Sequence, residues 1–237
     1  MTVKFKRKIS SDAFTPTRQS VKEMELAVAA PQKVHAILGD ILSEERREVI
    51  ENVVSHRTNR LHVAIEGVHD PHNTAAIIRT ADAFGVQNIH IIEGATRFRS
   101  SASVTQGAHK WIDVHMYPDA ATFMAQMRSD GIRVLVAAMD GAENVADVTI
   151  DCPVVLVFGN EAEGISEQMR QLAEGAFKIP MYGFVESFNV SVAAGISIAT
   201  IRRHGEGHLT LEERAILKAR YYLRSVRAGY DIVTRAI

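Results

Sequence analysis

The 237-residue sequence is poor in cysteine, in aromatic residues and in long hydrophobic runs. Cys152 is the only cysteine, so no disulfide can form within the chain. This excludes a disulfide-supported secreted domain, and we expect a reducing, cytoplasmic setting. No uninterrupted apolar stretch reaches the roughly 20 residues that cross a bilayer, so we expect no membrane span. The basic N-terminal segment lacks the apolar region of a signal peptide.

The sequence also lacks the ligand patterns of metal and nucleotide sites. His69 and His72 are separated by a proline, and His204 and His208 flank a Gly-Glu-Gly segment. Neither pair has a third ligand, so we expect no metal. The glycine loop 159–164 matches neither a P-loop nor the Gly-x-Gly-x-x-Gly fingerprint. A nicotinamide dehydrogenase is therefore disfavoured.

Charge is balanced overall, with a net charge of −1, but it is unevenly distributed. Residues 1–60 hold 11 Lys and Arg against 8 Asp and Glu, and residues 201–237 hold 8 against 4. The middle of the chain is correspondingly acidic. Basic ends around an acidic centre fit phosphate-binding extensions on a catalytic core, and they fit solvated helix faces almost as well.

Hydrophobic periodicity predicts an α/β protein with a parallel sheet. Residues 20–57 have helical spacing, broken at Pro31 and Gly39. Short apolar runs rich in branched residues then predict strands at Leu61–Ile65, Ile89–Ile92, Ile132–Ala138 and Val154–Phe158. The segments between them predict helices at Asn73–Phe84, Asp119–Ser129 and Glu167–Glu174.

The end of the chain is again predicted to be helical. A helix is expected over Asn189–Arg203, and Thr210 with Glu213 forms a capping box for a last helix that extends to about Arg227. We therefore predict an N-terminal helical extension over 1–60, a central α/β domain over 61–204 and a C-terminal helical extension over 205–237.

The first candidate functional segment follows the first strand. Asn73 is placed to cap the next helix, and Arg79 is the only cation of that helix. An arginine on an apolar helix needs an acceptor. An internal salt bridge to Asp82 or Glu161 is one interpretation, and a clamp for a bound phosphate or carboxylate is the other.

Two further segments follow later strands. The loop from Gly159 to Ser166 joins a buried strand to a helix, and its two acidic residues disfavour phosphate but tolerate a cationic ligand. In the third segment a strand ends at Pro180 and a helix begins near Ser187–Asn189. Side chains at such a helix start either cap the helix or hold polar ligand atoms.

Together these segments resemble the SpoU family of SPOUT-class RNA 2′-O-methyltransferases. The first matches the family's Asn-x5-Arg motif at Asn73 and Arg79, and the second matches Gly-x-Glu-x-x-Gly at Gly159. The third matches Ile-Pro-Met-x-Gly and Ser-x-Asn-Val-Ser over residues 179–191, with Phe188 where leucine is usual. The motifs occur in family order within residues 61–204.

The resemblance implies a SPOUT fold with a C-terminal trefoil knot, which sequence physics alone would not predict. It also implies a homodimer with the active site at the interface. The implied activity is S-adenosylmethionine-dependent methylation of a ribose 2′-hydroxyl in a structured RNA. The helical ends are most similar to the TrmH branch, which methylates guanosine 18 of the tRNA D-loop. A 23S rRNA methyltransferase and a non-catalytic RNA-binding relative are the alternatives.

The resemblance also implies residue roles. Arg79 would activate the ribose hydroxyl, either as a true base or by electrostatic stabilisation, which we prefer because guanidinium is nearly always protonated. The other implied catalytic residues are Asn73, Glu161, Ser187 and Asn189. The cofactor site would be formed by Ala137, Gly159, Glu161, Gly164, Ile179, Met181, Phe188 and Asn189.

Basic residues towards both ends of the chain are predicted to bind RNA phosphates. Those of the C-terminal part are Arg202, Arg203, Arg214, Lys218, Arg220, Arg224 and Arg227. Those of the N-terminal segment are Lys4, Lys6, Arg7 and Lys8.

Overall fold

The computed structural model describes residues 18–68, 70–93 and 110–237. Within these ranges, seven parallel strands form one sheet in the order β3-β2-β1-β6-β4-β7-β5. The strands are β1 (Thr58–Glu66), β2 (Val86–Ile92), β3 (Asp113–Tyr117), β4 (Arg133–Ala137), β5 (Glu143–Asn144), β6 (Val154–Phe158) and β7 (Gly175–Lys178). The α/β class and the five predicted strands, including the one before Pro180, are confirmed, although their ends differ by a few residues.

Two strands were not predicted, and both lie at the edges of the sheet. β3 alternates polar and apolar residues and is only half-buried, because its outer edge has no neighbouring strand. β5 is two residues long. By contrast, β6 is fully buried and pairs with β1 on one side and β4 on the other, as expected for an unbroken apolar run.

Helices cover both faces of the sheet, and further helices extend from one end. Those next to the sheet are α4 (Pro71–Ala83), α5 (Ala120–Asp130), α6 (Glu167–Leu172) and α7 (Val190–Ile201). The others are α1 (Arg18–Ala29), α2 (Pro31–Gly39), α3 (Glu44–Ser55), α8 (Leu211–Ser225) and α9 (Gly229–Ala236). Each predicted helix is present. None of the helices in the described ranges is long and apolar enough to cross a membrane.

The sheet has a separate apolar core on each face. On one face, Ile77 and Ile78 of α4 and Ile198 of α7 pack on side chains of β1 and β6. On the other face, Phe123 and Met124 of α5 pack on Val134, Val155 and Val157 of the central strands. Burying an aliphatic side chain of this size contributes about 1.5–3 kcal/mol, so the two cores hold the layers in a fixed arrangement.

The two helical extensions pack against each other and form one helical layer, made of α1, α2, α3, α8 and α9. Its core includes Leu26, Leu38, Val54, Leu217 and Tyr222, which come from both ends of the chain. The amphipathic helix α8 contacts α1, α2 and α3. The predicted boundary after residue 60 falls inside β1, because that strand begins at Thr58.

Three stacked imidazoles are buried on the side of the sheet that α5 covers. His90 stacks between His62 and His115, with ring centroids 5.2 and 5.0 Å apart. His62 Nε2 donates to the carbonyl of Asn59 at 2.9 Å, so its Nδ1 accepts from His90 Nε2, also at 2.9 Å. His90 Nδ1 then accepts from the Tyr117 hydroxyl at 3.2 Å. This pattern requires neutral histidines.

We expect this histidine stack to make the protein sensitive to mild acid. Burial lowers the pKa of His62 to about 4 and lowers the pKa values of His90 and His115 as well. Below the usual histidine pKa of about 6.5 the unfolded chain binds protons that the folded chain excludes. The contribution of the neutral histidines to stability is therefore fully present above pH 6.5 and is lost as the pH drops towards 4. The loss is at most about 1.4 kcal/mol per pH unit for each histidine that stays neutral in the folded chain.

Urea unfolding between pH 7 and pH 5 measures this effect, because most carboxylates stay ionised over that range. His90→Phe should be less stable at pH 7 but should show a shallower loss of stability on acidification. His204→Asn, at an exposed position, is the matched control and should keep the wild-type slope. An unchanged slope in His90→Phe would contradict the assignment.

Candidate active site at the carboxyl edge of the sheet

The three sequence motifs meet at the edge of the sheet where the strands end. Asn189 Nδ2 donates to Asn73 Oδ1 at 3.2 Å, and Asn73 Nδ2 donates to Glu161 Oε1. Glu161 lies 88 residues after Asn73 in the chain, and Asn189 lies 116 residues after Asn73. Strands β1, β6 and β7 deliver them to one edge, as expected for binding sites in parallel sheets.

Asn73 is free to make these contacts because another residue caps its helix. Asp70 is the N-cap of α4, and its carboxylate accepts from the backbone N–H of His72 at 2.8 Å. Pro71 occupies the first helical turn, where its missing N–H costs nothing. The prediction that Asn73 caps the helix is therefore wrong, because the helix begins one turn earlier.

The loop after β6 is a tight turn that presents Glu161. The side chain of Asn160 accepts from the backbone N–H groups of Ala162 and Glu163 at 2.9 and 2.7 Å. A Cβ on Gly159 would lie 2.1 Å from the Gly164 backbone, and Gly164 has a φ of +70°. Both positions therefore require glycine.

Asn189 closes the site from α7. It is the N-cap of that helix, and its Oδ1 accepts from the Ser191 N–H at 2.9 Å and from the Ser191 hydroxyl at 2.6 Å. One amide side chain thus caps the helix and orients Asn73, so the predicted helix start near Ser187–Asn189 is confirmed. Ser187 is exposed and has no hydrogen bond to any described residue.

Arg79 stands apart from this hydrogen-bonded group. It is exposed, and within the described ranges it has no hydrogen bond or ion pair. The predicted internal partners are engaged elsewhere: Asp82 pairs with the buried Arg57, and Glu161 bonds to Asn73. The salt-bridge interpretation of Arg79 is therefore wrong. Arg79 lies six positions after Asn73 on the helix, which is about 9 Å along its axis.

The predicted cofactor residues border the same edge. Ala137 ends β4, pairs with Phe177 of β7, and is half-buried, as are Ile179 and Met181 after β7. Phe188 is 37% exposed. Half-buried apolar side chains at strand ends fit a flat heterocycle, and the Glu161 carboxylate at the same edge fits a cationic group. These residues therefore suit a ligand that has an aromatic group at one end and a cationic group at the other.

The segment between Met181 and Ser187 carries aromatic and aliphatic side chains that are exposed to solvent. Tyr182 is 96% exposed, Phe184 108% and Val185 65%. Val192, in the first turn of α7, is 48% exposed. Exposed apolar side chains that lie close together are typical of surfaces that bind a partner or a ligand.

Two arginines predicted to bind RNA are buried, so that prediction is wrong for both. Arg202 is 4% exposed and donates to the carbonyls of His56, Phe84 and Glu206. Arg220 is 5% exposed and forms a two-pronged ion pair with Asp113, whose pKa burial would raise but Arg220 holds below its usual value. Neither guanidinium has a free face for a phosphate.

The other predicted RNA-binding cations differ in their surroundings. Arg224 donates to the carbonyl of Lys110, Arg214 donates to the carbonyl of Leu209, and Lys218 pairs with Glu51 at 2.5 Å. Arg203 and Arg227 are exposed. The positions Lys4, Lys6, Arg7 and Lys8 lie outside the described residues, as does His69 of the metal analysis. No group of three potential metal ligands occurs in the described part of the chain.

Sequence reasoning missed one buried carboxylate at this edge. Glu66 is the last residue of β1, is 7% exposed, and accepts from both the backbone N–H and the hydroxyl of Ser166. The available signal was an acidic residue between the apolar run 63–65 and Gly67.

Sequence comparisons find named relatives. The chain is 30% identical over 207 residues to the tRNA (guanosine(18)-2′-O)-methyltransferase of Borreliella burgdorferi, with 85% of this chain and 94% of the relative covered. It is 37% identical over 162 residues to the enzyme of the same name from Thermus thermophilus, with 68% and 84% covered.

Solved structures agree with the sequence comparisons. The A. aeolicus TrmH/SpoU tRNA modifying enzyme matches with a TM-score of 0.66 at 29% identity, covering 78% of this chain and 98% of that one. The SpoU methyltransferase AviRb from Streptomyces viridochromogenes, crystallised with the cofactor AdoMet, matches with a TM-score of 0.57 at 26% identity, covering 62% and 61%.

The family profile described as the SpoU rRNA Methylase family matches residues 60–199, more than half of the chain. This range contains all three motifs and the hydrogen-bonded group that they form. The chain belongs to the SpoU rRNA Methylase family.

Proposed function

We propose that this protein transfers a methyl group from S-adenosylmethionine to the 2′-hydroxyl of guanosine 18 in the D-loop of tRNA. The observation that carries the proposal is the hydrogen-bonded group Glu161–Asn73–Asn189, which joins the three family motifs at one sheet edge. The names of the relatives from Borreliella burgdorferi and Thermus thermophilus support this activity and this nucleotide.

The cofactor supplies the methyl group. We assign its adenosine to the apolar surface of Ala137, Ile179, Met181 and Phe188, and its cationic end to the neighbourhood of Glu161. Gly159 lets the two ends of the loop approach each other, because a Cβ there would lie 2.1 Å from the Gly164 backbone. The cofactor complex of AviRb supports this choice of ligand class.

The remaining residues of the site orient the reacting groups and stabilise the charge that develops during methyl transfer. Glu161 fixes the amide of Asn73, and Asn73 in turn fixes Asn189, so these side chains do not reorganise during reaction. The unactivated ribose hydroxyl must lose a proton as it attacks. Arg79, exposed and free of a partner in the described ranges, is available to hold the target phosphate and to stabilise the developing alkoxide. Its use as a true base is the alternative.

A second copy of the chain is part of the proposal. Arg79 is separated along α4 from the hydrogen-bonded group, and exposed apolar side chains of the 182–188 loop and of α7 surround that group. A homodimer with the site at its interface would cover this surface and bring Arg79 of one protomer to the site of its partner. We also propose the trefoil knot of the SPOUT fold for residues 61–204, and a cytoplasmic location.

A tRNA substrate is favoured over an rRNA substrate by the larger share of the tRNA enzyme that aligns with this chain. The chain spans 94% of the tRNA enzyme from Borreliella burgdorferi. The structural match to an rRNA methyltransferase from Sinorhizobium meliloti covers 60% of that chain. The exposed Arg203 and Arg227, together with the N-terminal basic segment, remain candidates for RNA phosphates.

The test is methylation of defined RNAs with isotopically labelled S-adenosylmethionine. We expect label in tRNA transcripts at the ribose of guanosine 18, and its loss when that nucleotide carries a 2′-deoxyribose. Fragments of 23S rRNA are the second set of acceptors. Labelling of rRNA alone would replace the tRNA proposal, and failure to bind the cofactor in calorimetry would support the non-catalytic alternative.

A further inference from the structure

Glu66 lies outside the three motifs, but its side chain contacts Ser166, shortly after the second motif. Its carboxylate is buried at the end of β1, where Oε2 accepts from the Ser166 N–H at 2.9 Å and Oε1 accepts from the Ser166 hydroxyl at 2.7 Å. The two residues are 100 positions apart. Hydrogen bonds to an ionised carboxylate are shorter and stronger than those between neutral groups.

Ser166 is the point where the loop that carries Glu161 ends and α6 begins. Its hydroxyl accepts from the Met169 N–H at 3.1 Å and caps that helix. The other end of the loop is fixed by pairing of Phe158 with Ile65 of β1. Glu66 therefore fixes the exit of a loop whose entrance is already held by the sheet.

The same stretch of chain holds the loop at two places. Glu66 contacts Ser166 at the exit of the loop, and Asn73, seven residues further on, contacts Glu161 in its middle. Between them, Gly67 has a φ of +62°, and a Cβ there would lie 3.3 Å from the amide nitrogen of Asn160. The backbone after β1 is thus packed directly against the loop.

We propose that Glu66 is a positioning residue of the active site, which holds the 159–166 loop so that Glu161 meets Asn73. This inference rests on the proposed methyl transfer only for its kinetic consequence. A displacement of about 1 Å at a reacting site costs up to about 100-fold in rate. Loss of the Glu66 contact should therefore reduce turnover although Glu66 itself lies outside the cofactor and RNA surfaces named above.

The test uses Glu66→Gln and Ser166→Asp, singly and together, in the full-length protein. Glu66→Gln keeps the size of the side chain but removes its charge. Its NH2 group replaces one of the two acceptor oxygens, so the Ser166 hydroxyl must give up the bond that it donates and accept one instead. Ser166→Asp keeps a capping oxygen for α6 but sets two carboxylates against each other. In the double variant the glutamine amide donates to the aspartate, so we expect partial rescue relative to Ser166→Asp.

The first measurement is hydrogen exchange of the 159–166 backbone in the absence of any ligand. We expect faster exchange in both single variants and slower exchange in the double variant than in Ser166→Asp, with β6 itself unaffected. Affinity for S-adenosylmethionine and kcat with saturating tRNA should follow the same order, with kcat of Glu66→Gln reduced about 10- to 100-fold.

Asp113→Asn is the matched control, because it also alters a buried carboxylate that pairs across the fold, but in contact with Arg220 of α8. It should lower Tm while leaving loop exchange and kcat at their wild-type values. Wild-type exchange and kcat in Glu66→Gln, or absence of rescue in the double variant, would overturn the proposal. If the wild-type protein transfers no methyl group, the proposed function fails, and the exchange data still decide the role of Glu66.

Discussion

Replacement of Arg79 by alanine is expected to lower kcat for tRNA methylation by about 10²–10³, with little change in stability. Removal of one electrostatic group that faces developing charge typically has an effect of this size. Arg79 is exposed and has no partner in the described part of the chain, so its loss breaks no described contact. The measurement is single-turnover methylation with saturating cofactor, together with the Tm of each protein.

Arg128→Ala is the control, because Arg128 is also an exposed helical arginine but belongs to α5, which covers the opposite face of the sheet. It should methylate normally. Near-normal activity of Arg79→Ala would remove Arg79 from the mechanism and leave its exposed position without a catalytic explanation.

The same variant tests whether two protomers share the site. Mixing inactive Arg79→Ala with inactive Asn189→Ala should restore activity, because half of the randomly formed dimers then contain one intact site, about one quarter of all sites. No recovery after exchange of subunits would show that Arg79 and Asn189 act from the same protomer.

The second large effect is on stability and is expected for Arg202→Met. The guanidinium donates through three nitrogens to three backbone carbonyls, those of His56, Phe84 and Glu206. Two of these residues are C-caps of α3 and α4, where carbonyls have no partner within the helix. Methionine fills similar space but leaves the carbonyls unpaired, so we expect a loss of about 3–5 kcal/mol in the free energy of unfolding.

Urea unfolding measures this loss, and Arg203→Met is the neighbouring control at an exposed position. Arg203→Met should unfold nearly like the wild type, because Arg203 bonds only to the exposed His204 among the described residues. It should bind tRNA more weakly at low salt, because an exposed cation that contacts a phosphate releases counterions. The opposite result, with Arg202→Met stable and deficient in RNA binding, would restore the original prediction for Arg202.

Much of this fold follows from local pattern. Residues 154–158 read as a buried strand because both faces of β6 are covered, and Pro31 and Gly39 limit α2 as predicted. Strand β3 was missed because an edge strand needs no unbroken apolar run, and its Asp113 and His115 resemble loop residues. Asn73 was misplaced as a cap because Asp70, three residues earlier, is an equally good cap, and sequence alone does not choose between them.

The sequence predicted which motifs form the site, but it did not predict which side chains bond to each other. The spacing of Asn73, Glu161 and Asn189 in three motifs indicated a common edge, whereas the order in which the side chains bond follows only from the packed structure. The buried arginines show the limit of charge counting. Arg202 and Arg220 contribute to a basic C-terminal segment, yet helix packing directs both guanidiniums inward.

The helical layer joins the two ends of the chain, and this sets an order for folding during synthesis. The helices α1, α2 and α3 are made before the sheet domain, but α8, which completes their apolar core, is made after it. The early helices must therefore wait with an uncovered apolar face while the whole sheet domain is translated and folds. A nascent chain stalled before residue 211 would present that face to chaperones, and release of the last two helices would withdraw it.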